Sequence, residues 1–205
     1  MKKIIYGTTN DAKVKEMKEA LNGMDIEIIG LNDIKKKIPK VIEDGETPLE
    51  NAKKKAETYF QEFKIPVFSC DSGLYFEGVK DIDQPGVYIR RVKGRELSDD
   101  EMIEYYSKIA KKNGGEIISR YENAIYLKID ENTSFEYQGP EISLSNFIIS
   151  EKPYNKKIKG FPLDSLSKNI MTNKYYLEEK EPDEQENRMN ERVRKFFKES
   201  FKHTI

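Results

Sequence analysis

The chain has one histidine, His203, one cysteine, Cys70, and no tryptophan among its 205 residues. A single histidine argues against a Ser-His-Asp triad and against a histidine-rich metal site within one chain. A single cysteine cannot close an internal disulfide. No segment approaches the roughly 20 apolar residues that span a bilayer, and the amino terminus lacks the long apolar stretch of a secretory signal. The expectation is a reduced, soluble, cytoplasmic protein without a membrane partner. An excess of either charge is also missing, since 36 Lys and Arg stand against 37 Asp and Glu, a formal charge of −1. That balance speaks against a nucleic-acid-binding domain, which carries a large positive excess. Any hydrolytic chemistry would have to rest on carboxylates, lysines and a hard cation.

Core material is nevertheless present: 37% of the residues are hydrophobic, and 12 Tyr and 10 Phe supply much of the bulk. The length suits one domain over residues 1–205, or two small lobes sharing a core. The opening KKIIYGT reads as a strand, TNDAKVKEMKEAL as a polar turn and amphipathic helix, and DIEIIGL as a second strand, together a βαβ unit. Thr47, Pro48 and Glu50 form a helix start, with N-cap, first-turn proline and a carboxylate at the capping-box position. Leu49, Ala52, Ala56, Tyr59 or Phe60, and Phe63 then give an apolar stripe.

IPVFS is a buried strand that places Asp71 at its end, and a Pro-Gly turn follows in DIDQPGVYIRR. Ser98 caps a helix that Gly114 and Gly115 stop. Residues 116–149 alternate apolar and polar and read as antiparallel strands of a mixed sheet, YENAIYLKI and SFEYQG among them. GFPLDSLS is a turn or short helical segment and EEKEPDEQENR a polar loop. Met189, Val193, Phe196, Phe197 and Phe201 line one face of a final helix. The order is α/β with an antiparallel or mixed extension; a purely parallel sheet would need more crossover helices.

Two places carry chemistry. Between the first strand and helix, backbone amides, the Thr8 and Thr9 hydroxyls, the Asn10 amide and the Lys13 ammonium could converge on phosphate oxygens. On this motif alone the simpler reading is that Asn10 caps the helix and Lys13 lies in solvent. The second is the carboxylate group Glu43, Asp44, Glu50 and Asp71. A site without histidine needs such oxygens for Mg²⁺ and a carboxylate to orient or deprotonate water. Asp71 is favoured because its strand gives rigidity, and Ser72 and Gly73 let a phosphate approach. Glu50 has the capping box as its other reading. Lys55 either faces the phosphates or belongs with Lys53 and Lys54 to a solvated run. Cys70 has no histidine to activate it and reads as a packing residue.

TTNDAKVKEM, EDGETPLENAKKKA, CDSGL and QPGVYIRR, in this order and spacing, resemble the Ham1/inosine triphosphatase family of nucleoside triphosphate pyrophosphatases. The resemblance covers about the first 95 residues well and the rest loosely. It implies an elongated α/β fold, a two-lobed mixed sheet flanked by helices with a substrate cleft between the lobes, and a homodimer. It also implies Mg²⁺-dependent cleavage of the α–β phosphoanhydride of ITP, dITP and XTP to a monophosphate and pyrophosphate. On the same basis Thr8, Thr9, Asn10 and Lys13 resemble the phosphate and substrate loop, Glu43 and Asp71 the metal carboxylates, and Asp71 also the base. Ser72 and Lys55 are similar to contacts in the cleft, with Lys55 among the catalytic residues.

Gly160, Phe161 and Asp164 resemble the family's Gly-Phe-Gly-Tyr-Asp-Pro segment, whose phenylalanine stacks on the base. Lys180 and Arg188 are similar to its late lysine and the arginine of Ser-His-Arg. The chain departs from the pattern at Pro162, Leu163 and Ser165, at Asn187 in place of the histidine, and at Cys70 in place of the first of two aspartates. Asn187 could donate to a purine 6-oxo group or accept from an amino group, which leaves base choice open. The alternatives are the same cleavage on another modified or ordinary nucleotide, or a non-catalytic nucleotide-binding protein.

Overall fold

The chain starts with β1 (Lys2–Tyr6), α1 (Asp11–Ala20), β2 (Ile26–Gly30), α2 (Pro48–Phe63) and β3 (Val67–Phe76). A two-residue hairpin, β4 (Arg91–Val92) and β5 (Arg95–Glu96), precedes α3 (Asp99–Lys112). Then come β6 (Glu116–Lys128), β7 (Ser134–Gln138), β8 (Phe147–Ser150), β9 (Ser167–Asn169) and α4 (Glu184–Lys202). The computed structural model describes residues 1–143, 145–179 and 184–202, the last stretch with side chains from Asn187 onward. Lys180 and His203 therefore lie outside the described residues. Among those described, seven strands pair into a mixed sheet with helices packed on it, the α/β class expected. No helix is long and apolar enough to cross a membrane among the described residues.

The chain divides into two compact units. The first comprises Met1–Ser72, Glu122–Ser143 and Glu186–Ile205. Here β1 pairs in parallel with both β2 and β3, and β7 lies antiparallel on β6. The two-residue period of the strands decides which helix covers which face. Ile4, Tyr6, Phe68, Ile125 and Leu127 point to one side and pack with Val14 and Leu21 at α1 and with Val193, Phe196 and Phe197 of α4. Ile5, Val67 and Tyr126 point to the other and pack with Ala52, Ala56, Tyr59 and Phe60 of α2. The predicted stripes of α2 and of the final helix are thus the buried ones.

The α2 cap forms with one change. Thr47 Oγ1 accepts from Glu50 N at 3.2 Å, while the Glu50 carboxylate reaches past the N-cap and accepts from Glu46 N at 2.7 Å. That bond folds the preceding loop back on the helix start, which fixes where residues 43–46 run. Lys64, in the left-handed region at φ 53°, ends the helix by donating its N–H to Phe60 O at 2.8 Å.

The second unit comprises Gly73–Tyr121 and Leu144–Gln185. β8 lies antiparallel between β6 and β9, and the chain just after β3 joins them, Glu77 N donating to Ile118 O at 2.8 Å. Met102, Ile103, Tyr106, Ile109 and Ala110 of α3 bury against Leu74, Ile117, Phe147 and Ile149. Ser98 and Glu101 complete a capping box on α3, and Gly114 and Gly115 stop it with φ of +96° and +95°, where a Cβ would be strained.

Two expectations are corrected. Asp71 is not at a strand end: β3 runs through it to Phe76, because Leu74 and Phe76 beyond the polar Cys-Asp-Ser stretch bury in the second unit's core. The polar segment 178–188 is not all loop, since α4 starts at Glu184, with Asn187 and Arg188 exposed ahead of the apolar face.

Candidate active site

The first unit brings together Glu43, Lys55, Cys70 and Asp71. β3 carries Asp71 in its middle, and α2 presents Lys55 one turn beyond the apolar Ala52. Lys55 Nζ donates to Asp71 Oδ1 at 2.7 Å and to the Cys70 carbonyl at 3.1 Å, and Glu43 Oε2 lies 3.4 Å away. The ammonium has three protons and meets three oxygens. The Lys55 and Asp71 side chains are 11% and 15% exposed and Glu43 32%, so the pair sits well inside and the glutamate at the opening. Burial opposes the charged lysine, but Asp71 and Glu43 outweigh it and hold its pKa above the ordinary value.

The loop bearing Glu43 is held from below by a residue the sequence reading gave no role. Asn51, fully buried on α2, accepts from Gly45 N through Oδ1 at 2.9 Å. A Cβ on Gly45 would come within 2.8 Å of that same oxygen, so glycine is what lets the loop lie this close. The signal was in the sequence, as an asparagine three residues after a proline helix start, but only the fold supplies its partner.

The loop between β1 and α1 takes the capping geometry. Asn10 Oδ1 accepts from Ala12 N at 3.0 Å and Lys13 N at 3.4 Å, and Thr8 Oγ1 accepts from Asn10 N at 3.2 Å. Thr9 is exposed, and its carbonyl accepts from Asn32 Nδ2 at 2.9 Å, a second contact that sequence reasoning missed. Lys13 is not a surface lysine in solvent. It is partly buried, and burial first, then the Lys55 charge, lowers its pKa. Lys13 and Lys55 are thus close enough for their charges to repel.

The remaining predicted residues divide. Ser72, half-buried, follows Asp71 on β3. Asp44 pairs with Lys54 on the exposed side of α2, apart from the Lys55 contacts. Asn187 and Arg188 are exposed in the early turns of α4. Phe161 and Asp164 belong to the second unit, in a short 3-10 segment where Pro162, Leu163 and Ser165 are buried in its core. Asp99 anchors that segment by accepting from Gly160 N at 2.8 Å while pairing with Arg90 at 2.8 Å. Lys180 is outside the described residues.

Cys70 packs rather than reacts. Its side chain lies against the Ile4–Phe197 core, and burial, only partly offset by a hydrogen bond shared with Tyr6, pushes the thiol up to about 11 from 9.0. Below about pH 9 the native thiolate fraction is then about a hundredfold lower than in the unfolded chain. Iodoacetamide should label the folded protein about a hundredfold more slowly than the urea-unfolded protein. Equal rates would mean that burial does not suppress the thiol. The useful group is the Cys70 carbonyl, which a reading of side chains alone passes over.

Two carboxylates and a backbone carbonyl are the hard oxygen donors that a small divalent cation takes. Among the described residues no three His, Cys, Asp or Glu side chains form a preformed cage.

The fold and this cluster define a class: an α/β protein with a largely enclosed lysine-and-carboxylate cluster between a helix and the sheet. The chain belongs to the Ham1 family, whose model matches residues 4–136. A dITP/XTP pyrophosphatase of Oceanobacillus iheyensis is 41% identical over 104 residues, 51% of this chain and 52% of that protein. One from Leptospira interrogans is 32% identical over 165 residues, 80% of this chain and 79% of that protein. The chain spans about half the length of the Oceanobacillus protein and of a similar one from Vibrio parahaemolyticus. A HAM1 protein from Coxiella burnetii superposes with a TM-score of 0.74 over 97% of this chain and all of that one, at 22% identity, which speaks to the fold. The Staphylococcus aureus Ham1 protein gives 0.70 over 97% and 99%.

Proposed function

We propose that the protein is a Mg²⁺-dependent nucleoside triphosphate pyrophosphatase acting on aberrant purine nucleotides of the dITP, ITP and XTP type. The observation that carries this reading is Lys55 held among Asp71, Glu43 and the Cys70 carbonyl, with Lys13 beside it. The names of the dITP/XTP pyrophosphatases it resembles support the substrate class.

In this reading Thr8, Thr9, Asn10 and Lys13 receive the polyphosphate. Asp71, fixed on β3, orients water and takes its proton as the water oxygen bonds to the α-phosphorus. The α–β bridging bond breaks and pyrophosphate leaves with the bond's electrons, giving a nucleoside monophosphate. Lys55 and Lys13 offset the charge that accumulates on the phosphate oxygens. Glu43 and Asp71 would hold Mg²⁺, which when bound supplies charge neutralisation and polarises phosphoryl oxygen. Ser72 contacts substrate, Phe161 stacks on the base, and Asp164, Lys180, Asn187 and Arg188 read the base or bind phosphate. A homodimer and a cytoplasmic setting belong to the same proposal, supported by the family resemblance.

Base choice is the part most open to change, because Pro162, Leu163 and Ser165 are committed to the core and Asn187 stands where the family pattern has histidine. Turnover should be measured for dITP, ITP, XTP and the ordinary nucleotides, with and without Mg²⁺, identifying products. Monophosphate and pyrophosphate are expected. Orthophosphate alone would reject the cleavage position, and binding without turnover would leave a nucleotide-binding protein.

A further inference from the structure

The charge and geometry around Lys55 carry a consequence for how a metal reaches the site. The ammonium is surrounded by the Asp71, Glu43 and Cys70 oxygens at 2.7, 3.4 and 3.1 Å. They are the same kinds of donor that a hard cation requires. The ammonium is itself a cation in that position, and slightly more enclosed than Asp71. Two cations cannot share those oxygens at contact distance without strong repulsion in a poorly solvated pocket.

We propose that Lys55 is a resident counter-cation of the Glu43–Asp71 pair, which a divalent metal must displace, so that the nucleotide-free protein binds metal weakly and polyphosphate and metal enter together. The inference rests on the proposed pyrophosphatase site and deepens it. Lys55 hangs on a flexible four-carbon stem from α2, whereas Asp71 is held in the sheet, so the lysine is the partner that moves. Lys13 already repels it. An arriving polyphosphate reverses that balance: it gives both ammonium groups an anion to face, and Lys55 can leave the carboxylates without becoming an unpaired buried charge. The carboxylates are then exposed to the metal at the moment the phosphates that complete its coordination are present. Without nucleotide, the same lysine offsets part of the charge of the two acids.

The test is a titration of nucleotide-free protein with Mn²⁺, following free Mn²⁺ by electron paramagnetic resonance. Lys55→Met should bind Mn²⁺ at least about tenfold more tightly than the wild type, because a competing cation has been removed. Adding Glu43→Gln to Lys55→Met should abolish the gain. Equal or weaker binding by Lys55→Met would overturn the proposal, as would a gain that survives loss of the Glu43 charge. If two unneutralised acids prevent Lys55→Met from folding, Lys55→Gln carries the same comparison, since its amide can still donate to Asp71 without a positive charge. Failure of the pyrophosphatase reading would appear separately, as a wild-type protein that releases no pyrophosphate. The Mn²⁺ comparison needs no turnover and decides the role of Lys55 either way.

Discussion

Asp71→Asn is expected to lower kcat by about a thousandfold while leaving the protein folded. Loss of a positioned general base costs about 10²–10⁴ in rate, and here the same substitution removes a carboxylate from the metal pair. Asparagine keeps the shape of the side chain in the middle of β3, so the strand pairing and the Leu74 and Phe76 packing beyond it are undisturbed. The change falls on Lys55 instead, which loses its 2.7 Å partner and keeps only Glu43 as a charged one. Burial then weighs more heavily against the ammonium, and its pKa should drop from its raised position. In the wild type that raised pKa contributes stability that is complete below lysine's ordinary range and is lost only as pH climbs through the folded value. The cluster therefore does not weaken near neutral pH through Lys55. Steady-state rates with product identification, alongside circular dichroism, check the prediction. A kcat within tenfold of the wild type would remove Asp71 from the role of base.

Phe197→Ala is expected to cost about 3–5 kcal/mol of stability. Phe197 is fully buried, meets Phe68 edge-on with ring centroids 5.0 Å apart, and meets Phe196 at 5.4 Å. It is the centre of the contact by which α4 covers the face of β1 and β3 opposite α2. Truncation leaves a cavity between helix and sheet that neighbouring side chains close only in part. Domains of this kind have about 5–15 kcal/mol in total, so this one ring is a large share. The urea midpoint reads the loss at constant slope. A loss below about 1 kcal/mol would mean that α4 is not held by this contact.

Much of the fold was legible because it is written in short-range patterns. Thr47, Pro48 and Glu50 announce α2 through local hydrogen bonding, and the spacing of Ala52, Ala56 and Phe60 names its buried face. The short apolar run at residues 2–8 read as a strand, though it did not say which helix would cover Ile5 and which Tyr6. Patterns failed where local chemistry misleads. Cys-Asp-Ser looks like the end of a strand, yet residues beyond it find a core in the second unit and draw the strand onward. The charged run before α4 looks like a loop, yet its last residues are helical turns with nothing apolar to bury.

The sequence by itself determined the elements and, through its single histidine and cysteine, narrowed any hydrolytic chemistry to carboxylates, lysines and a hard cation. Which of three adjacent lysines matters was left to the tertiary structure. Successive helical side chains point about 100° apart, so Lys53 lies over the Tyr126 ring, Lys54 pairs with Asp44, and Lys55 alone turns inward to Asp71. Its three oxygens come from a loop and a strand, Glu43 twelve residues before it and Cys70 and Asp71 fifteen and sixteen after. Separations of that length carry no local signal, because only packing α2 on the sheet brings them within hydrogen-bond reach.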